Sequence, residues 1–410
     1  MNSLRNYHLI PEIYVNTDLL HIDIQGFINK NIGSNIHELI LKGIPFKGVD
    51  IKDLIEQIEA KKKCETKLIT WFKTPYIYYP NKLNIEQTSS ETTAHIKSKL
   101  ISGKSILDLT GGFGVDSYFF SKQFQSVIHC EMNPKLAQIA AHNFNVMGAK
   151  NITTHTKDGI EFLKSCSDTF DWLYVDPSRR DAQKHKKFLI DDCSPNVTTH
   201  QDLFFKHANN ILIKLSPMLD ISVGVLALKH VKSIYIVAIK NEVKELLFHQ
   251  EKDFEDRPTI HTINSHPKGD ELFSFELSQE GYAIATFSAP KTYLYEPNAA
   301  VMKSGAFQLI SQQFGLDKLD LNTHLYTSDD RIPNFPGKVY EISETFPYQK
   351  KSLKKKVNGL KANVKTRNFS EKVETLKSNF KLTDGGDLYL FFTTSNGKKI
   401  AIIGRLAHCY

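Results

Sequence analysis

A buried strand that runs into a helix through closely spaced glycines most constrains the fold of this chain. Residues 105–117 have the sequence SILDLTGGFGVDS, whose first half is the continuous apolar run of a strand covered on both faces. Three glycines follow: Gly111, Gly112 and Gly114. Glycine lets the backbone turn sharply and approach a ligand closely, because it has no Cβ. We therefore predict a nucleotide-cradling turn, with Asp108 and Thr110 facing the ligand.

An acidic residue follows at the distance where a second parallel strand should end. Residues 127–131 form a short apolar run that closes with Glu131, 20 residues after Gly111. A nucleotide-binding βαβ unit places a carboxylate there to hold ribose hydroxyls. The dinucleotide fingerprint G-x-G-x-x-G is incomplete, because residues 112–117 lack its third glycine.

Residues 108–114, with the sequence DLTGGFG, resemble motif I of the class I S-adenosylmethionine (SAM) methyltransferases. The resemblance implies SAM as the cofactor, bound through Asp108, Thr110 and the glycines at its methionine end and through Glu131 at its ribose. Asp158, after the strand-like residues 152–155, matches the acid that this family keeps beside the adenine amino group.

The dipeptide Asp176-Pro177 ends another buried strand and resembles motif IV of the same family. In amino-group methyltransferases this motif holds the target nitrogen beside the methyl group, which implies catalytic roles for both residues. The family often has proline and an aromatic residue next, whereas this chain has Ser178, Arg179 and Arg180. A guanidinium fork matches phosphate oxygens, so we predict that these three residues bind substrate. A surface ion pair of Arg180 is the alternative.

Lys214 follows a fifth strand at the same rim, and we predict that it also contacts the substrate. The order Asp-Pro-x-Arg is similar to the uracil-C5 methyltransferases, which need a nucleophilic cysteine after a later strand. The segment after Lys214 offers Ser216 and no cysteine, which disfavours carbon methylation. Residues 86–95 resemble the entry helix of the trimethylguanosine-synthase-like enzymes, which modify RNA.

Strands and helices alternate through the middle of the chain. The predicted strands lie near residues 105–109, 127–131, 152–155, 171–176, 210–215 and 233–239. This alternation predicts an α/β fold with a Rossmann-like, doubly wound, mostly parallel sheet. Ligands of such sheets bind at the carboxyl ends of the strands.

The length of 410 residues exceeds what one hydrophobic core covers, so several domains are expected. We predict an N-terminal helical region (1–84), the methyltransferase domain (85–254), a small α+β domain (255–336) and a basic α+β domain (337–410). Residues 88–91 are predicted to form a capping box that opens the next helix. No apolar run approaches the roughly 20 residues that cross a bilayer. No export signal or C-x-x-C pair is evident, so we expect a cytoplasmic protein that binds neither membrane nor metal.

Positive charge is concentrated near the C-terminus. Residues 338–381 contain 12 Lys and Arg against four Glu and no Asp, whereas the whole chain carries a net charge of +7. Five lysines are predicted to cluster on one helix: Lys350, Lys351, Lys354, Lys355 and Lys356. They could neutralise RNA phosphates, or form a solvated face. Residues 338–410 resemble the THUMP-like module of a group of bacterial methyltransferases, and residues 293–303 resemble the ferredoxin-like module before it.

These observations predict a SAM-dependent methyltransferase that acts on a base nitrogen of tRNA or rRNA. One alternative keeps the SAM site and gives it a small-molecule or protein substrate. The other is a non-catalytic RNA-binding or assembly factor that retains the fold. The motif ending in Asp176-Pro177 favours catalysis, and the localised basic charge favours RNA.

Overall fold

The computed structural model describes residues 14–179 and 190–407. Arg180 lies outside these residues, and of Arg179 only the backbone is described. The chain divides into two compact units, the first comprising 1–231 with 248–254 and the second 232–247 with 255–410.

Unit 1 begins with helices, as predicted. A 3₁₀ turn (Thr17–Leu20) precedes α1 (Ile22–Lys30), α2 (Ile36–Lys42), α3 (Ile51–Lys67), α4 (Ile69–Lys73), α5 (Lys82–Gln87) and α6 (Glu91–Leu100). Their apolar faces form a core around Trp71, which is fully buried. Phe113, Val115 and Ile139 belong to the same core, so the helical region and the start of the α/β region pack as one body.

The predicted capping box at residues 88–91 is wrong in its register. Thr88 ends α5, and the N-cap of α6 is Ser90, whose hydroxyl accepts a hydrogen bond from the Thr93 amide over 3.1 Å. The Glu91 carboxylate is used elsewhere, because Oε2 accepts from the Thr70 amide over 2.7 Å. The helix predicted from this signal is present, but it starts two residues later because a contact with α4 takes up the glutamate.

A parallel sheet forms the centre of unit 1. Its strands are β1 (Gly103–Asp108), β2 (Phe124–Cys130), β3 (Ile152–His155), β4 (Phe170–Val175) and β7 (Ala208–Leu215). They lie in the order β3-β2-β1-β4-β7, and every neighbouring pair is parallel. The order reverses between β1 and β4, which opens a crevice at the carboxyl ends of these two strands. The predicted α/β fold and its strands are confirmed.

Helices connect these strands. They are α7 (Val115–Phe120), α8 (Pro134–Val146), α9 (Gly159–Ser165), α10 (Gln201–His207) and α11 (Ile221–Ala227), with a 3₁₀ turn at Ile190–Asp192. The short strands β5 (Ser178–Arg179) and β6 (Cys193–Ser194) pair antiparallel after β4. Strand β9 (Glu242–Glu251) is divided between the two units.

Unit 2 contains most of the remaining strands. Strand β10 (Thr259–His266) pairs parallel with β8 (Val231–Ile239) and antiparallel with β11 (Gly269–Glu276). A separate sheet of eight strands has the order β12-β14-β15-β13-β16-β19-β18-β17. Its strands are β12 (Thr286–Phe287), β13 (Tyr293–Pro297), β14 (Asp317–Asp320), β15 (Thr323–Ser328), β16 (Gly337–Pro347), β17 (Asn363–Arg367), β18 (Leu388–Ser395) and β19 (Lys398–Leu406).

The helices of unit 2 are short. They are α12 (Gln279–Tyr282), α13 (Ala299–Ser304), α14 (Phe307–Phe314), α15 (Lys350–Val357) and α16 (Val373–Phe380). Helix α15 buries only Leu353 and Val357, against a cluster that includes Phe380 and Phe392. Asn396 and Gly397 form the turn of the hairpin that joins β18 to β19, and both have the positive φ angles that a two-residue turn requires.

Candidate active site

The glycine turn joins β1 to α7 and is organised by Asp108. The Asp108 carboxylate is 1% exposed; Oδ1 accepts a hydrogen bond from the Thr110 amide over 3.0 Å, and Oδ2 accepts from the Ser117 hydroxyl over 2.6 Å. Burial raises the pKa of Asp108 to about 7. Asp108 therefore holds the turn together from inside, with both oxygens bonded to protein donors.

Two of the glycines are required by close packing. A Cβ on Gly111 would lie 2.1 Å from His129 Cε1, and one on Gly114 would lie 2.3 Å from Phe144 Cζ. Gly114 also has a φ of 86°, in the left-handed region that other residues rarely adopt. Burial lowers the pKa of His129 to about 3, so its ring is neutral beneath the turn.

Glu131 follows β2 and reaches the turn. Its Oε2 accepts a hydrogen bond from the Gly112 amide over 2.9 Å, and its Oε1 accepts from the Asn133 amide over 2.7 Å. Burial raises the pKa of the carboxyl, while the hydrogen bonds from these two amides oppose that effect. The carboxylate thus lies beside the glycines, as expected from the position of its strand.

Asp158 lies after β3 and caps α9. Its Oδ1 accepts hydrogen bonds from the amides of Ile160 (2.9 Å) and Glu161 (3.1 Å). The next residue, Gly159, was not predicted as part of the site. A Cβ there would lie 2.3 Å from the Leu109 carbonyl oxygen, so only glycine lets α9 come this close to the turn.

Asp176 follows β4, the strand beside β1. Its amide donates to the Thr110 hydroxyl over 2.7 Å, which fixes the backbone against the glycine turn. Its Oδ2 lies 2.6 Å from Nζ of Lys214, at the end of β7. Oδ1 has no hydrogen-bond donor among the side chains that the structure describes. Asp176 and Lys214 therefore form an ion pair at the crevice where the strand order reverses.

A charged network behind this ion pair was not predicted from the sequence. Ser89 Oγ lies 3.4 Å from Lys214 Nζ and donates to Asp116 Oδ2 over 2.8 Å. Asp116 Oδ2 also accepts from the Tyr174 hydroxyl over 2.9 Å, and its Oδ1 is 3.2 Å from Nζ of the fully buried Lys97. Burial alone would raise the pKa of Asp116, but the Lys97 and Lys214 ammonium groups outweigh it and hold this pKa below its usual value.

A cavity of about 530 Å³ opens at this edge of the sheet. The predicted site residues that line it are Thr110, Gly111, Gly112, Glu131, Asp158, Asp176, Ser178 and Lys214. Asp108, Gly114 and Pro177 do not line it. Ser89 and Asp116 line it as well, together with Asn84 and Gln87 of α5, so the N-terminal helices form part of its wall. The volume falls in the range of about 300–1,000 Å³ typical of small-ligand sites.

The five lysines predicted as an RNA-binding cluster belong to α15 of unit 2. All five side chains are exposed, which follows from the two buried positions of this helix. Lys350 pairs with Glu371 over 3.2 Å, and Lys356 Nζ lies 5.8 Å from the Phe346 ring centroid.

Comparison with known proteins identifies the architecture. A crystal structure from Porphyromonas gingivalis W83, of a protein assigned as a methyltransferase, is 29% identical and superposes with a TM-score of 0.88. The match covers 97% of this chain and 100% of that one. This chain has a class I methyltransferase fold. The family model described as a ferredoxin-like domain matches residues 293–336 of this methyltransferase-fold protein, and the one described as THUMP domain-like matches residues 337–406.

A second relative is named as an uncharacterized RNA methyltransferase of Mycoplasma mobile. It is 28% identical over 221 residues, which are 48% of this chain. The chain spans 60% of the length of that relative. The predicted resemblance to methyltransferases with C-terminal ferredoxin-like and THUMP-like modules is confirmed.

Two features are absent from residues 14–179 and 190–407. None of the helices there is both long and apolar enough to span a bilayer. No group of three or more His, Cys, Asp or Glu side chains in that part of the chain is arranged to hold a metal ion.

Proposed function

We propose that this protein is a SAM-dependent methyltransferase that modifies a base nitrogen of tRNA or rRNA. The observation that carries the proposal is the position of Asp176. Its carboxylate lies at the sheet's switch point and lines the same cavity as Glu131 and the glycine turn. Glu131, which can bind the ribose of a nucleoside, and Asp176, which can hold the methyl acceptor, therefore face the same cavity.

The residues of the cavity fit SAM. A Cβ on Gly112 would meet only the Thr110 carbonyl oxygen, at 3.9 Å, so the backbone there leaves room for a ligand, whereas a Cβ on Gly111 would point at His129. In the proposed complex Glu131 accepts hydrogen bonds from the ribose hydroxyls, and Asp158 lies at the adenine end. Thr110, between the turn and Asp176, borders the methionine end. SAM supplies an activated methyl group when bound.

Asp108 and Gly114 act indirectly in this proposal. Both carboxylate oxygens of Asp108 accept hydrogen bonds from protein donors. Asp108 therefore shapes the turn and does not need to contact the ligand. Gly114 allows the turn to pass over Phe144. The two residues therefore set the path of the backbone that borders the ligand.

The acceptor side of the cavity is built around Asp176 and Lys214. Methyl transfer is a displacement in which positioning the nucleophile accounts for much of the catalysis. Asp176 Oδ1 can accept a hydrogen bond from an N–H of the substrate. Pro177 does not line the cavity, so the role of its carbonyl as a second acceptor stays a prediction. Ser178 lines the same cavity, which supports its proposed contact with the substrate. Arg179 and Arg180 remain candidates for phosphate contacts.

RNA is the proposed substrate for three reasons. The Mycoplasma mobile relative is named as an RNA methyltransferase, and residues 337–406 match the THUMP-like family model. The five lysines of α15 are exposed and lie within that matched region. Clustered lysines favour contact with a phosphate backbone, which suits recognition of RNA by shape.

Methyl transfer to fractionated cell components tests this proposal. The protein is incubated with SAM labelled in its methyl group and with RNA, protein or small metabolites from cells that lack the gene. We expect label in the RNA fraction, and none when Asp176→Ala replaces the wild type. Label confined to protein or metabolites would support the alternative substrates. SAM binding without transfer to any fraction would support the non-catalytic alternative.

A further inference from the structure

The ion pair between Asp176 and Lys214 places an acceptor and a cation side by side in one cavity. Asp176 Oδ2 lies 2.6 Å from Lys214 Nζ, and both side chains line the cavity. Lys214 is held from its other side by Ser89 Oγ at 3.4 Å. The side chains of Asp176 and Lys214 are 30% and 16% exposed, so the pair is partly desolvated and still open to a ligand.

An exocyclic amino group would gain little from the lysine. Two acceptors, an Asp or Asn oxygen and the proline carbonyl, are enough to orient an amino group. A cation that donates to the ring nitrogen beside the amino group would withdraw electrons from it and weaken it as a nucleophile. The lysine therefore opposes the chemistry that the Asp-Pro motif alone suggests.

We propose that Asp176 and Lys214 together select a lactam, a ring N–H adjacent to a carbonyl, as in guanine N1 or uracil N3. This inference rests on the proposed function and specifies its target atom. Asp176 Oδ1 accepts the ring proton, while Lys214 donates a hydrogen bond to the carbonyl oxygen. Negative charge on that oxygen is favourable beside an ammonium group in a partly buried site.

Methyl transfer in this proposal breaks an N–H and a C–S bond and forms an O–H and an N–C bond. The ring N–H bond breaks, its proton passes to Asp176, and the electron pair remains on the lactam. The nitrogen uses this pair to bond the methyl carbon, while the carbon–sulfur pair of SAM stays on sulfur. Asp176 then releases its proton to solvent. General-base catalysis of this kind contributes about 10²–10⁴-fold to a rate.

The buried network behind the pair keeps Lys214 in place. Ser89 contacts Lys214 on one side and Asp116 on the other, and Asp116 is paired with Lys97. Because Lys97 already pairs with the buried Asp116, Lys214 can remain with Asp176 at the cavity.

Four variants test the inference: Asp176→Asn, Lys214→Met, Lys214→Arg and the control Asp202→Asn. Asp202 is 87% exposed and pairs with Lys229 on the surface, so its variant makes the same charge change outside the cavity. The measurements are kcat with RNA, the affinity for SAM by calorimetry, and the methylated atom by mass spectrometry of digested nucleosides.

We expect the methyl group on a lactam ring nitrogen. Asp176→Asn and Lys214→Met should each lower kcat by about 100-fold or more. The first removes the base that takes the ring proton, and the second removes the cation that stabilises negative charge on the carbonyl oxygen. Lys214→Arg should retain more activity than Lys214→Met, and the control should match the wild type. Affinity for SAM should change less than about threefold in all four, since these side chains act on the acceptor.

Two results would overturn the inference while leaving the proposed function intact. One is a methyl group on an exocyclic amino nitrogen. The other is Asp176→Asn with nearly wild-type kcat, because an asparagine oxygen can orient an amino group but cannot take a proton. RNA that receives no methyl group from wild-type protein with SAM bound would reject the proposed function, and this inference with it.

Discussion

Glu131 accepts a hydrogen bond through Oε2 from the Gly112 amide over 2.9 Å, and this contact joins the end of β2 to the glycine turn after β1. One carboxylate therefore sets the position of the turn and borders the cavity that the turn lines. A nucleoside bound there would contact both the Glu131 carboxylate and the glycine turn.

Replacing Glu131 should weaken SAM binding. Hydrogen bonds to charged groups contribute about 1.5–3 kcal/mol, so Glu131→Ala should raise the dissociation constant about 10- to 100-fold, and Glu131→Gln should have a smaller effect. Calorimetry measures both. Glu161→Gln is the control, because Glu161 pairs with Lys164 on the exposed side of α9. Unchanged affinity in folded Glu131→Ala protein would reject the ribose assignment.

The buried Lys97–Asp116 pair should be important for stability. Removing one member of a buried ion pair costs about 3–5 kcal/mol, because the other charge stays buried. Lys97→Met should therefore destabilise the protein by about this amount, whereas the exposed Lys99→Met should have little effect. The double variant Lys97→Met/Asp116→Asn should recover part of the loss. Urea unfolding checks this, and additive losses would show that the two residues are not coupled.

Asp108 should make stability depend on pH. Its folded-state pKa is about 7 against an ordinary value of 3.8, so the carboxyl favours the folded state below pH 4 and loses this contribution as pH rises to 7. The unfolding free energy of wild type relative to Asp108→Asn should fall by roughly 1.4 kcal/mol per pH unit between pH 5 and 7. His129 is present in both proteins, so its contribution to the pH dependence cancels in the comparison. Urea unfolding of both proteins at pH 5, 6 and 7 measures the difference, and a pH-independent difference would contradict the raised pKa.

The lysines of α15 should contribute to the salt dependence of RNA binding. Each phosphate contact adds about 0.7–0.9 to the slope of log K against log salt, so replacing all five lysines by glutamine should flatten this slope by several units. A matched variant replaces five exposed lysines of the N-terminal helical region: Lys30, Lys42, Lys47, Lys52 and Lys73. Filter binding at several salt concentrations compares the two. Equal slopes would assign α15 to solvated surface.

The features predicted well from the sequence are those set by neighbouring residues. A glycine turn after an apolar run, and acids at the ends of successive strands, specify a parallel sheet with Glu131, Asp158 and Asp176 at one edge. The sequence positions of these residues fix the strand to which each belongs. The sheet topology then brings them together without any further information.

The buried network could not be predicted in the same way. Ser89 lies in the loop between α5 and α6, Lys97 in α6 and Asp116 in α7. These segments meet only when the N-terminal region packs on the sheet. One feature of the sequence indicated that Lys97 is buried. Lys97 lies one helical turn after the buried Ala94 and so shares its inward face. The start of α6 was misplaced for a related reason, since Glu91 contacts Thr70 instead of closing a local capping box.

Nucleoside analysis of cellular RNA tests whether this protein methylates RNA. Total tRNA and rRNA from cells with and without the gene are digested and compared by mass spectrometry. We expect that one methylated nucleoside is lost without the gene, restored by the wild-type gene and not restored by a gene encoding Asp176→Ala. Identical methylated nucleosides in both RNA samples would contradict the proposal that this protein is an RNA methyltransferase.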